Sequence, residues 1–229
     1  MIRPILICLS AIILFSISAL AQDRELRDHD SFSGIKVGGG LDVYITQSKA
    51  FEVEVVTSGD LGDIVTEVNR GVLEIRQDSK TWFSYNENTR INVSLPLLEY
   101  LHASGGSDVI STGIIRGDML KIRSSGGSDV ELEITYQSLD VNCSGGSDLE
   151  LSGEVDILEL ETSGGSDFDG FDLIAQDATL NTSGGSDANV HVRNKIQANA
   201  SGASDITYRG SPKYVDVNSS GGADINGGR

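Results

Sequence analysis

The sequence predicts an all-β chain wound as a parallel β-helix, a β-solenoid with coils of about 19–20 residues. Three observations predict it. The first is a corner motif, Ser104-Gly105-Gly106-Ser107-Asp108, which returns at residues 125–129, 144–148, 163–167 and 183–187. It returns with one change as Ser201-Gly202-Ala203-Ser204-Asp205 and Ser220-Gly221-Gly222-Ala223-Asp224. The second is its period: the motif aspartates follow one another at intervals of 21, 19, 19, 20, 18 and 19 residues. The third is the alternation before each corner. One position before the first motif serine stand Ala103, Ser124, Cys143, Thr162, Thr182, Ala200 and Ser219, all small. Three positions before it stand Leu101, Ile122, Val141, Leu160, Leu180, Ala198 and Val217, all apolar. The positions between are polar. A strand buried on one face has this pattern, and glycine supplies the backbone angles of the corner.

The chain divides in order. Residues 1–21 start with Arg3, continue as an apolar run and end in Ala19-Leu20-Ala21, the pattern of a cleaved secretory signal peptide. An uncleaved membrane anchor is the alternative, because the run approaches bilayer-spanning length. Residues 22–31 are charged and aperiodic, and a mobile leader is expected there. Residues 32–229 are expected to form one solenoid domain. Its opening strands are Phe32-Ser33-Gly34-Ile35-Lys36-Val37 and Val43-Tyr44-Ile45-Thr46-Gln47, and Gly38-Gly39-Gly40-Leu41-Asp42 between them reads as a degenerate copy of the corner motif. A hairpin is expected about Asn69-Arg70-Gly71. Residues 77–89 lack alternation and carry Trp82, Phe83 and Tyr85, which suit a cap over one end of the core or an exposed sugar-binding aromatic site. The last coil is short and leaves its edge weakly protected.

Charge narrows the partners. The formal net charge is −17, and removal of residues 1–21 takes away one arginine and no acid. Such a chain repels phosphate backbones, so nucleic acid is not an expected partner. Cys143 is the one cysteine after the apolar run, so no intramolecular disulfide is expected, and its small inward column makes it a buried space-filler. No further run is long enough for a transmembrane helix.

The opening strands, with Leu41-Asp42-Val43-Tyr44-Ile45, and the repeated Ser-Gly-Gly-Ser-Asp ladder resemble the putative auto-transporter adhesin, head GIN domain family, over nearly all of residues 32–229. The resemblance implies a right-handed β-helix exported by a Bacteroidetes-type bacterium, with a name that points to adhesion and no settled activity. Unlike a self-exporting autotransporter, the chain is not expected to carry a membrane β-barrel after its repeats.

Several motifs could carry chemistry. Asp108, Asp129, Asp148, Asp167, Asp187, Asp205 and Asp224 should form one column. Each would accept a hydrogen bond from a backbone N–H of its own corner, as in an Asx-turn, or successive carboxylates would share Ca²⁺. The motif serines with His29, His102 and His191 do not make a triad, and a serine repeated in every turn is structural. Arg116, Lys121 and Arg123 share one coil and read as a solvated face. Asn142, Asn181, Asn199 and Asn218 should form an exposed ladder. The expected function is a non-catalytic, exported module of the periplasm, the cell surface or the extracellular medium that adheres to a protein or glycan partner and needs no cofactor. A carbohydrate-active β-helix enzyme and a calcium-dependent structural domain are the alternatives.

Overall fold

The computed structural model describes residues 22–78 and 89–228. The expected signal segment, and Trp82, Phe83 and Tyr85, lie outside the described residues. Among those described, order is almost entirely β, with one 3₁₀ turn at Leu61–Asp63. The first strands are β1 (Asp23–Arg27), β2 (Gly34–Gly38), β3 (Asp42–Gln47), β4 (Glu52–Thr57), β5 (Ile64–Asn69), β6 (Val72–Gln77) and β7 (Arg90–Leu95). The repeats then supply β8 (Tyr100–Ser104), β9 (Asp108–Ser111), β10 (Ile115–Ser125), β11 (Asp129–Ser144), β12 (Asp148–Ser163), β13 (Asp167–Gly184), β14 (Asp187–Gly202), β15 (Asp205–Arg209), β16 (Tyr214–Gly221) and β17 (Asp224–Gly227).

From β8 onward every coil lies parallel on the next, in the register the motif predicts. Asp108 pairs with Asp129, Asp129 with Asp148, Asp148 with Asp167, Asp167 with Asp187, Asp187 with Asp205 and Asp205 with Asp224. The inward columns are dry: Leu101, Ile122, Val141, Leu160, Leu180 and Ala198 are each at most 1% exposed. Cys143 is buried in the small column, as expected. A parallel stack with every inward position apolar gives one continuous core, to which each coil contributes only through its neighbours.

The corners explain why the motif varies where it does. The first glycine of each corner has φ between +64° and +83°, from Gly105 to Gly221. The second is left-handed at Gly106, Gly127, Gly146 and Gly165, but not at Gly185 or Gly222. Ala203 occupies this second position, and there φ is not positive either. Alanine therefore enters the motif only after the corner has changed its backbone path.

At the other end the order of coils departs from the order of the chain. The coil β2–β3 stacks directly on β8–β9, with Ile35 opposite Leu101 and Val43 opposite Val109. The later coil β6–β7 lies on its far side, with Ile35 opposite Leu73 and Val43 opposite Ile91. Antiparallel strands close this end: β5 on β6, β4 on β7, and β1 on β4. The expected hairpin forms, with Arg70 at φ 52° and Gly71 at φ 78°, the two positive angles that a tight hairpin turn requires.

The expected mobile leader is corrected by β1, which runs from Asp23 to Arg27. Arg27 reaches Ile64 O at 2.6 Å and Leu61 O at 2.8 Å. A guanidinium that satisfies free carbonyls ties the segment down despite its charge. At the opposite end β16 pairs with β14, and its inward Val215 and Val217 are 49% and 37% exposed. Their counterparts one coil inward, Ile196 and Ala198, are covered.

Candidate functional site

The aspartate column forms as predicted and extends one rung further. Asp42 precedes Val43, which pairs with Val109, so Asp42 stands beside Asp108. Burial raises the carboxyls of both above the ordinary aspartate value, and the charge of Asp42 raises Asp108 further. Two residues along, Glu131, Glu150 and Asp169 make a second acidic column in register with the first. The two columns line a groove of about 460 Å³ that includes Asp129, Asp148 and Asp167. Among the described residues no group of His, Cys, Asp and Glu is gathered tightly enough to hold a metal ion.

The expected role of the aspartates at their own corners is corrected. The carboxylates with defined backbone partners reach the next coil: Asp187 Oδ1 accepts from Asp205 N at 3.3 Å, and Asp205 Oδ1 from Asp224 N at 3.2 Å. The corner itself is tied by the second motif serine. Ser107, Ser128, Ser147, Ser166, Ser186 and Ser204 are all fully buried. Ser147 Oγ donates to Ser144 O at 3.2 Å, Ser166 Oγ to Ser163 O at 3.0 Å and Ser204 Oγ to Ser201 O at 2.9 Å. Ser107 Oγ accepts from Leu41 N at 3.2 Å, so the same position also links coils. The physical reason is position. The serine side chain points into the corner and loses water, so it must find a backbone partner; the next side chain points out and is solvated. Alternation alone would have separated the two roles.

The histidines do not meet the motif serines. Ser104 Oγ donates to Val37 O at 3.2 Å, and His29 Nε2 lies 3.0 Å from Thr66 Oγ1. Burial, with a smaller contribution from Asp148, pushes the Cys143 thiol up to about 12, which removes it as a nucleophile at neutral pH.

The outer face of the sheet that leads into the corners carries the other candidate surface. Its asparagine ladder forms: Asn199 Nδ2 donates to Asn181 Oδ1 at 3.0 Å, and Asn218 Nδ2 to Asn199 Oδ1 at 3.4 Å. Asn142 donates instead to Glu161 at 2.9 Å. Followed towards β2, the same column becomes basic. Asn142 pairs with Arg123, Arg123 with His102, and His102 with Lys36. The three basic residues read together from the sequence are divided: Lys121 forms a 2.6 Å ion pair with Asp140, while Arg123 joins His102 and Lys36. Lys36 was missed as a member of this row. The signal was present, because Lys36 stands two positions before the degenerate corner that opens at Gly38, as His102 stands two before Ser104.

Fold and surface define a class: a β-solenoid built of short repeats, which displays long columns of polar side chains on its outer faces. The chain belongs to the putative auto-transporter adhesin, head GIN domain family, whose model matches residues 31–212. Among solved structures it resembles a putative adhesin from Bacteroides fragilis, with TM-score 0.86 and 22% identity over 91% of this chain and 98% of that one. It also resembles a putative adhesin from Parabacteroides merdae, with TM-score 0.74 and 18% identity over 91% and 96% of the two chains. A structure from Parabacteroides distasonis described as a putative lipid binding protein aligns with TM-score 0.69 and 21% identity over 91% and 97%. At these identities the likeness is one of fold. No curated protein matches the chain.

Proposed function

We propose that the chain is an exported, non-catalytic interaction module that adheres through the outer columns of its solenoid to a surface partner. The observation that carries the reading is the asparagine ladder. Asn181, Asn199 and Asn218 repeat one amide group on successive parallel strands and hydrogen-bond one to the next. Neighbouring strands are about 4.8 Å apart, so such a face offers the same donors and acceptors at regular intervals, which suits an extended ligand better than a small one. The family supports the reading, since its description is of an adhesin head.

Two measurements test it. Cell fractionation with surface protease digestion should find the chain outside the cytoplasm and open to protease on intact cells. Beads coated with the chain from Gln22 onward should adhere to glycan-bearing surfaces, and a panel of acidic and neutral polysaccharides should show no new reducing ends or unsaturated products. Retention in the cytoplasm would overturn the export, and release of cleaved sugar would overturn the non-catalytic role.

A further inference from the structure

This acidic chain carries several basic residues together on one outer face. Lys36 on β2, His102 on β8 and Arg123 on β10 face outward on three adjacent parallel strands. Arg70, in the β5–β6 turn, lines the same region. The ion pairs of the described residues lie elsewhere, and none includes Lys36, Arg70 or Arg123. Like charges facing each other across strands destabilise a sheet. Their effect is visible at His102, whose imidazole is held below its ordinary value by burial and then by the charges of Lys36 and Arg123. The same column continues beyond Lys36 with Glu74, which stands opposite Lys36 on β6 and makes no ion pair with it. Tyr100 and Lys121, two residues along, bring no free carboxylate to His102, since the acid nearest Lys121 is committed to that lysine.

Beside this row the surface is hollow. A depression of about 460 Å³ is lined by Lys36, Asn69, Arg70, Val72, Glu74 and Tyr100. Beneath its lining lies Gly34, buried between Val72 on one strand and Tyr100 on the other. Gly34 has no positive φ, so its backbone does not require glycine. Space does: an added Cβ would lie 3.0 Å from Val72 Cγ2 and 3.4 Å from Tyr100 Cβ. Val72 and Tyr100 close over the missing side chain, and Tyr100 gives the hollow an aromatic wall, its ring at 73° to His102 with 6.4 Å between centroids. Unpaired cations, amide and hydroxyl groups and an aromatic wall around one hollow are the parts of a site for a charged sugar.

We propose that this row and hollow bind an acidic glycan, with the carboxylate or sulfate of one sugar unit held by Lys36, His102 and Arg123 and its ring against Tyr100. The site rests on the adhesive reading above and gives that reading a ligand class. The sugar ring lies against Val72 and Tyr100, and the rest of the glycan continues along the column towards the asparagine ladder. Glu74, opposite Lys36 on β6, repels a second negative group and orients the ligand with its charge towards Arg123.

The test uses calorimetry and ¹H–¹⁵N NMR of the His102 imidazole on the chain from Gln22 onward. Four probes of equal length are compared: hexagalacturonate, a sulfated dextran hexamer, maltohexaose and hexaglutamate. A carboxylated or sulfated sugar should bind saturably, at least tenfold more tightly than hexaglutamate or maltohexaose, and should raise the His102 pKa. The stronger of the two acidic sugars identifies the anion. Lys36→Glu with Arg123→Glu should weaken that binding at least tenfold in a chain whose ¹H–¹⁵N spectrum shows it still folded, and Tyr100→Ala should weaken it several-fold. Equal binding of hexaglutamate, with no effect of Tyr100→Ala, would show a site for acidic polypeptide and overturn the proposal. So would unchanged binding by the charge-reversed variant, or no binding of either acidic sugar. If the charge-reversed variant still coats and adheres like the wild type, this site fails and the adhesive function stands. If sugar binds the wild type but no adhesion occurs, the function fails and the site stands.

Discussion

Ser147 and Asp148 are neighbours in the same motif with different duties. Ser147 is fully buried and donates to Ser144 O, while Asp148 is exposed on the outer column. Ser147→Ala therefore removes a buried hydrogen bond and should cost about 1 kcal/mol in urea unfolding. Asp148→Ala should change stability by no more than about 0.5 kcal/mol. The reverse order would restore the aspartate as the corner's tie. The motif's place in the fold was legible from its repetition, but the division of labour within it was not, because every copy except the last carries both residues. The last copy has Ala223 at the serine position, in the coil with the least covering, where less is left to hold. Cys143 makes a second check. Its thiol is buried and raised to about 12, so it should not react with a thiol reagent at pH 7 until the chain is unfolded.

The corner explains which glycines the chain needs. Gly145 has φ of 70°, and a Cβ there would sit 3.3 Å from the backbone nitrogen of Gly126 in the adjoining coil. Gly145→Ala should cost about 1–2 kcal/mol from the left-handed backbone alone. Gly185 is without a positive φ and has nothing within 4 Å of its would-be Cβ. Gly185→Ala should be neutral or stabilise by about 0.5 kcal/mol, since it restricts only the unfolded chain. Thermal unfolding of the two variants reads the difference, and equal losses would mean that the later corners have not changed path. The strands of the repeats were legible from alternation because burial acts on one face of each. The stacking of β6–β7 outside β2–β3 was not, because it depends on antiparallel partners distant in sequence, such as Val55 opposite Ile91. Nor was β1, which is charged and aperiodic, and is held through Arg27 to carbonyls 34 and 37 residues away.

The whole molecule is a stack of like charges on a shared core. Eight carboxylates, from Asp42 and Asp108 through Asp129, Asp148, Asp167, Asp187 and Asp205 to Asp224, follow one line up the solenoid. Neighbouring carboxylates about 5 Å apart repel by about 0.8 kcal/mol at the dielectric of water. Parallel register brings them together, so the same force that aligns the inward leucines and valines imposes the repulsion outside. Burial raises the carboxyls of Asp42 and Asp108 above their ordinary value, and the charge of Asp42 raises Asp108 further. A carboxyl whose folded pKa is raised holds its proton more tightly in the fold. Its contribution to stability is complete below the unfolded value near 3.8 and is lost as pH rises through the folded value. Asp108→Asn should therefore melt higher than the wild type at pH 7, and the difference should close as the pH falls below about 4, where the aspartate is protonated in both states. Salt should act in the same direction, by screening the exposed column. Calcium chloride should raise the melting temperature no further than sodium chloride of equal ionic strength. A saturable calcium shift, reversed by chelator and lost in Asp148→Asn, would instead show that the column shares cations between coils. A higher melting temperature for Asp108→Asn that persists at pH 3 would show that its gain comes from packing and not from charge.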